Sequence, residues 1–409
     1  MKSIFLYGSL WLAFSGCSGA AQPAGGADTA VVKKLVPVAV QKTVQKKVFA
    51  HLMPWFENKQ TNIPAGVWGQ HWTMANRNPD IDSAGIRQVA AYYYPLTGPY
   101  ASGDSAIIAY QLMMMKMSGI DGVFIDWPGT IQLYDYPKNA ENTEKIIRQL
   151  QKAGLTYAIV YEDQNVNIAF NKGAITNKLD AAQKDMRYME QHFFSMPNYV
   201  KTGGKPLLMV FGPQTFNTPR EWTQVFAVFK SPPAFFTLWD HAHRAGNNAT
   251  GEFAWINADH LVSLQKFYAR AGVQKIASAY PAFKAFYADG GWGGPTFTIE
   301  PDGLNTFKST LDLALNSDAE YVQIPTWNDY GEGTVIEPTV NSKYAYLEWL
   351  QQRLGVNVSA EVFELINAWY AAKVKYADNP PVQEQLEEIY ANLAALRVNE
   401  AKALLSGIH

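Results

Sequence analysis

The chain has 409 residues, a formal net charge of −2 and a single cysteine, so an internal disulfide is excluded. A nearly neutral chain lacks the basic field that nucleic-acid binding requires. No glycine-rich phosphate loop, His-Glu-x-x-His or Cys-x-x-Cys motif occurs, so neither a metal nor another cofactor is expected.

The first residues resemble a bacterial lipoprotein signal. Lys2 precedes a mostly apolar stretch at 4–14 that is too short to span a bilayer, and small residues lead into Cys17. The resemblance implies cleavage before Cys17, lipidation of this cysteine, and a lipid-anchored location in the bacterial cell envelope, at the outer membrane or in the periplasm. An ordinary secretory signal that is cut nearby is the alternative.

From Val48 onward, short apolar runs alternate with helical patterns. Continuous apolar runs predict strands that are covered on both faces, as in a parallel sheet. Eight strands are predicted, at 48–54, 122–127, 156–161, 205–211, 234–239, 253–256, 275–281 and 321–327. Helices are predicted at 105–118, 139–153, 176–194, 219–229 and 304–316. This order predicts an α/β fold, a (β/α)8 TIM-like barrel, with its active site at the carboxyl ends of the strands.

The C-terminal part has a different pattern. Apolar residues recur at helical spacing over 361–376 and 382–406, on either side of a segment with two prolines. This pattern predicts a helical hairpin packed on the barrel. The predicted divisions are a lipoprotein signal peptide (1–17), a flexible tether (18–47), the barrel (48–355) and the C-terminal helical hairpin (356–409).

The loop after the eighth strand concentrates acidic residues. Asp329, Glu332 and Glu337 lie within nine residues, and Gly331 and Gly333 would let the backbone turn so that the first two carboxyl groups share one space. A proton donor and a proton acceptor of this kind break glycosidic bonds, whereas Glu337 is expected only to hold the loop. A surface turn with solvated acids is the alternative interpretation.

Aromatic and polar side chains near other strand ends are candidates for sugar binding, because aromatic rings offer apolar faces to sugars. Two of them, Trp327 and Tyr330, flank the acidic loop. The others lie at strand ends, within the first strand or in the loop that follows it, and are Asp126, Trp127, Glu162, Tyr280, His51 and Trp72.

Several motifs resemble glycoside hydrolase family 99, the endo-α-mannosidases and endo-α-mannanases. Residues 328–338 are similar to the family's eighth-strand signature, Asn-Glu-Trp-His-Glu-Gly-Thr-x-Ile-Glu-Pro, and residues 327–332 are similar to the related family 71 α-1,3-glucanases. The segments 91–95, which contains Tyr94, 118–127 and 278–281 resemble other parts of these enzymes. The resemblance spans roughly residues 48–354 and implies a (β/α)8 glycosidase that needs no metal.

The resemblance also implies roles for individual residues. Glu332 falls on the general acid, Asp329 on the general base, and Glu162 on a further acid that contacts the sugar. The family's base is a glutamate, so an aspartate here leaves two routes open: retention through the sugar's own 2-hydroxyl, or inversion through an activated water. The expected protein is a monomeric, lipid-anchored hydrolase of α-linked mannan- or glucan-type oligo- or polysaccharides. A non-catalytic glycan-binding lipoprotein on a degenerate barrel is the alternative.

Overall fold

The computed structural model describes residues 35–408 and confirms the predicted (β/α)8 barrel. Its parallel strands are β1 Lys47–Leu52, β2 Gly122–Trp127, β3 Thr156–Tyr161, β4 Lys205–Val210, β5 Ala234–Leu238, β6 Gly251–Phe253, β7 Gln274–Ser278 and β8 Tyr321–Ile324. Each strand pairs with the next in this order, and β8 pairs with β1, so the barrel closes.

Side chains alternate along each strand between the barrel interior and the surrounding helices. On β2, Phe124 stacks inside the barrel on Phe49 of β1, with ring centroids 4.5 Å apart. Asp126 lies two residues farther along and shares this inward direction. Trp127 points the other way, so its position at the strand end does not bring it into the barrel mouth.

Helices surround the barrel and continue beyond it. They are α1 Ser105–Met117, α2 Tyr136–Ala153, α3 Gln164–Asn171, α4 Lys178–His192, α5 Pro219–Phe226, α6 His260–Tyr268, α7 Asn305–Asn316, α8 Ala345–Leu354, α9 Val362–Lys375, α10 Pro380–Ala394 and α11 Val398–Ser406. Short helical turns occur at Gln70–Thr73, Ala242–Ala245 and Gly246–Asn248. Two-residue strands occur at Asp82–Ser83, Ile86–Arg87, Lys201–Thr202, Phe283–Lys284 and Thr298–Ile299.

The C-terminal extension contains three helices, so the predicted two-helix hairpin is wrong. The second predicted helix, at 382–406, is interrupted between α10 and α11, where Leu396 has φ 60° and so adopts the left-handed region. The extension does pack on the barrel, as expected: Tyr370 of α9 lies against Tyr110 of α1, with ring centroids 5.1 Å apart.

The segment before β1 is hydrogen-bonded to the rest of the fold. Val38 donates its N–H to the carbonyl of Ala394 at 2.9 Å, and Val44 donates to Leu354 at 3.1 Å. Lys42 forms an ion pair with Asp121. The tether predicted to reach residue 47 therefore does not include residues 38–46. Cys17 and the predicted signal peptide lie outside the described residues. Within 35–408, no helix has both the length and the apolar character needed to cross a membrane.

Candidate active site

A cleft of about 280 Å³ lies at the carboxyl ends of the strands. Four predicted carboxyl groups line it: Asp126 at the end of β2, Glu162 after β3, and Asp329 and Glu332 after β8. His51 of β1 lines the same cleft. Residues far apart in sequence are thus brought together because parallel strands end at one face of the barrel.

Hydrogen bonds fix the loop that carries Asp329 and Glu332. Asp329 receives the N–H of Glu332 on Oδ1 at 2.9 Å and donates its own N–H to Thr326 Oγ1 at 2.7 Å. The carbonyl of Glu332 accepts from the N–H of Lys284 at 2.9 Å. Gly333 has φ 66°, and an added Cβ would lie 2.7 Å from the Lys284 carbonyl, so glycine is needed there.

Gly331 serves the loop in a different way from the one expected, because its φ is not positive. An added Cβ would lie 3.0 Å from the Tyr287 ring and 3.3 Å from Asp329 Oδ1. The glycine therefore lets Tyr287 and the loop approach each other closely.

Burial makes the carboxyl groups of the cleft hard to ionise. Burial, followed by the charges of Asp329 and Glu162, raises the pKa of Glu332 well above its ordinary value. Burial raises the pKa of Asp329 to about 6, although the hydrogen bond from Glu332 and the charge of His71 oppose the rise. Two oxygens, Asp126 Oδ1 and Glu332 Oε2, are buried and form no hydrogen bond within the described structure.

The raised pKa values of Asp329 and Glu332 predict the pH dependence of any reaction that uses these two groups. Asp329 accepts a proton only when ionised, so kcat/KM should rise with pH through about 6. Glu332 donates only when protonated, so kcat/KM should fall again as pH passes its raised pKa. A kcat/KM profile across pH tests this, and an acidic limb near the ordinary aspartate value of about 4 would contradict it.

Glu162 occupies a turn that is held by its neighbour Asp163. The buried Asp163 carboxylate accepts the backbone N–H groups of Gln214 at 2.9 Å, Thr215 at 2.7 Å and Phe216 at 3.2 Å. Burial raises the pKa of Glu162 to about 7, although Glu162 accepts a hydrogen bond of 2.6 Å from the amide of Gln164. The loops after β3 and β4 are therefore joined at the residue that follows Glu162.

Replacing Asp163 by asparagine should destabilise the fold and lower activity together. The new amide group would face backbone donors and leave some unpaired, at a cost of about 1–3 kcal/mol in the free energy of unfolding. Chemical denaturation and kcat/KM measure the two effects. The exposed Asp259 supplies the control, Asp259→Asn, and equal stability of the two variants would contradict the role of Asp163.

Six of the aromatic candidates do not line the cleft. Trp127 packs outward on Tyr188 and Phe193 of the α4 region, as the strand alternation requires. Trp327 is fully buried. The half-buried Tyr94 accepts the N–H of Arg87 on its hydroxyl at 3.2 Å.

The remaining three have their polar groups engaged elsewhere. Trp72 donates its indole N–H to the Tyr100 carbonyl at 2.8 Å. The hydroxyl of Tyr280 lies 3.0 Å from His260 Nδ1. Tyr330 donates its hydroxyl to Glu337 Oε2 at 2.8 Å. All three are fully buried, and none of them lines the cleft, so the structure places them away from the expected sugar site.

Glu337 holds the loop through side chains. It accepts the hydroxyls of Tyr100 and Tyr330, each at 2.8 Å, and the amide of Gln111 at 2.7 Å. Burial raises its pKa to about 7. It does not line the cleft, in agreement with the structural role expected for it.

The cleft also contains side chains that were not among the principal candidates. Trp55 stacks on His71 with ring centroids 4.5 Å apart, and His71 Nε2 lies 3.3 Å from Asp135. Trp255 and Tyr287 come from the segments after β6 and β7. Trp255 lies two residues beyond the end of β6, a signal that was available in the sequence. Tyr287 lies nine residues beyond β7, where spacing gives no such indication.

A metal centre is not apparent in the described part of the chain. Over 35–408, no group of three or more His, Cys, Asp or Glu side chains is arranged to hold an ion.

Comparisons with known proteins agree with the barrel and with the family resemblance. No family model matches the chain. The glycoprotein endo-alpha-1,2-mannosidase of Xenopus laevis is 22% identical over 331 residues, which cover 72% of this chain and 70% of that protein.

Solved structures show the same fold. Two structures of the family 99 endo-alpha-mannosidase of Bacteroides thetaiotaomicron, one with bis-tris propane, have TM-scores of 0.58, with identities of 19% and 18%. Each comparison covers 76% of this chain and 96% or 97% of the other. A glycoside hydrolase-like protein has a TM-score of 0.54 at 13% identity, covering 78% of this chain and 97% of the other. Together the sequence and fold similarities support a glycosidase, and the chain is similar to endo-alpha-mannosidases of glycoside hydrolase family 99.

Proposed function

We propose that this protein hydrolyses an α-linked glycan, of the α-mannan or α-glucan type, as a monomer. The observation that carries the proposal is a cleft in which Glu332 and Asp329 lie beside Glu162 and Asp126 at the carboxyl ends of the barrel strands. The mannosidase names of the similar proteins favour a mannoside as the first substrate to test.

Glu332 serves as the general acid and Asp329 as the general base. The raised pKa of Glu332 keeps a proton ready for the leaving oxygen, because burial and the charges of Asp329 and Glu162 disfavour the ionised form. Asp329 has the lower pKa, about 6, and is therefore the group of this pair that is ionised near neutral pH. Environments that separate two carboxyl groups in this way are how glycosidases assign acid and base.

The reaction is tested with a panel of α-linked manno- and gluco-oligosaccharides. Cleavage is followed as new reducing ends, and NMR of the first-formed anomer distinguishes retention from inversion. Cleavage of α-linked members supports the proposal, and the absence of cleavage across the panel contradicts it.

A second function, glycan binding without cleavage, has one specific observation in its favour. Oδ1 of Asp329 already accepts the N–H of Glu332 at 2.9 Å, so this shorter side chain is partly committed to the loop. Calorimetric titration with the same oligosaccharides separates the two functions. Binding that is never followed by product would favour the second function.

We also propose that the protein is lipid-anchored in the cell envelope through Cys17, following the lipoprotein-like signal in the sequence. Fractionation of bacterial cells tests this: the wild type should sediment with membranes and Cys17→Ala should not. Equal membrane association of the two would contradict the anchor.

A further inference from the structure

An exposed tryptophan stands at the rim of the cleft. Trp292 lies in the loop between β7 and α7 and leaves 44% of its surface exposed. Single exposed hydrophobic residues are ordinary on protein surfaces. Trp292 differs because it adjoins two aromatic side chains of the cleft, Tyr287 and His71.

The Trp292 ring continues an aromatic wall that begins inside the cleft. It lies nearly parallel to Tyr287, with ring centroids 6.2 Å apart and an interplanar angle of 24°. It also meets the edge of His71 at 6.0 Å, and His71 stacks on Trp55. Tyr287, His71 and Trp55 all line the cleft, so the wall reaches from the acidic residues to the solvent.

The turn that presents Trp292 is held from both sides. Trp292 donates its backbone N–H, not the indole N–H, to the Tyr287 carbonyl at 2.8 Å. The carbonyl of Gly290 accepts from Ala75 at 2.9 Å, and the carbonyl of Asp289 accepts from the side-chain amide of Asn76 at 2.7 Å. A ring that is already positioned loses little conformational entropy when a ligand arrives.

The small volume of the cleft indicates why an aromatic residue at the rim would contact the substrate. The volume of the cleft, about 280 Å³, is just below the range of about 300–1,000 Å³ that is usual for ligand sites. A glycan of several sugars must therefore extend over the rim. An exposed indole offers an apolar face to the ring of a sugar and an N–H to a hydroxyl.

We propose that Trp292 is the stacking platform of an outer sugar subsite, and that the substrate is an oligosaccharide long enough to reach it. This inference rests on the proposed glycosidase function. Its consequence is that Trp292 discriminates between substrates by length.

The test compares the wild type, Trp292→Ala and Trp292→Phe on a ladder of α-linked manno-oligosaccharides, from disaccharide to hexasaccharide, with the gluco-series in parallel. For Trp292→Ala, the loss in kcat/KM should grow with length to about 5- to 10-fold, the value of one aromatic stacking contact. Trp292→Phe should recover most of it. Trp349→Ala, which removes a half-buried tryptophan on helix α8 that does not line the cleft, is the control. A loss that is the same at every length, or no loss, overturns the subsite.

The proposed subsite and the proposed hydrolysis can be contradicted independently of each other. Should the wild type cleave neither series, the proposed hydrolysis is contradicted. The subsite is then decided by calorimetric affinity for the two hexasaccharides. Weaker binding by Trp292→Ala than by the wild type supports the platform, and equal affinity or no binding overturns it.

Discussion

Replacing Glu332 by glutamine should lower kcat/KM by about 10²–10⁴-fold, the range for losing a positioned general acid. The amide is nearly the same size as the carboxyl group but has no acidic proton for the leaving oxygen. Release of reducing ends from the preferred oligosaccharide measures the effect. Activity close to that of the wild type would remove Glu332 from the mechanism.

The same variant should fold at least as stably as the wild type at neutral pH. Glu332 Oε2 is buried and forms no hydrogen bond within residues 35–408, and the pKa of Glu332 is raised in the folded state. A carboxyl group with a raised folded-state pKa contributes stability that is complete below its unfolded-state pKa and is lost as pH rises through its folded-state pKa. The neutral amide does not have this loss, so thermal unfolding should show an equal or higher Tm.

Glu337→Gln provides the matched control. Glu337 is also a buried glutamate in the same loop, and burial raises its pKa to about 7, but it contacts Tyr100, Tyr330 and Gln111 outside the cleft. We expect this variant to lose thermal stability and to keep cleaving. If both glutamine variants were inactive while folded, disturbance of the loop, rather than loss of the acid, would explain the result.

Asp329→Asn should also lower kcat/KM by about 10²–10⁴-fold, because the amide cannot accept a proton as a carboxylate does. The substitution preserves an oxygen for the N–H of Glu332, which Asp329 Oδ1 accepts at 2.9 Å. The loop should therefore keep its shape, and any loss of activity should reflect chemistry.

The pH profile of the Asp329→Asn variant gives a second measurement. The acidic limb near pH 6 should disappear with the group that titrates at about 6. A variant that keeps both the limb and the wild-type kcat/KM would show that another group is the base. The kcat/KM of Asp329→Glu, whose side chain is one methylene longer, then shows how strongly the reaction depends on the position of the carboxylate.

The barrel could be predicted from the sequence because its signals are local. The bounds of β2 and β3 match the prediction at both ends, since apolar runs there are bounded by glycine or polar residues. For β6 the sequence predicts a strand at 253–256, whereas the structure has it at Gly251–Phe253. Glu252 interrupts the apolar pattern, and the strand accommodates it because Arg270 pairs with its carboxylate at 2.9 Å.

The acidic part of the site was predictable for the same reason, whereas its aromatic part was not. Asp126 and Glu162 adjoin strand ends, and such positions lie at the barrel mouth. The sequence does not show which of two adjacent residues faces inward, so Asp126 and Trp127 were both candidates although only Asp126 lines the cleft. His71 and Tyr287 reach the cleft through long loops, whose paths depend on tertiary contacts.

Product analysis over a long incubation with α-linked manno- and gluco-oligosaccharides tests the central claim most directly. New reducing ends from the wild type, with none from Glu332→Gln and continued release from Glu337→Gln, is the predicted result. Oligosaccharides that bind the wild type in calorimetry but are recovered intact would contradict a catalytic role for this cleft.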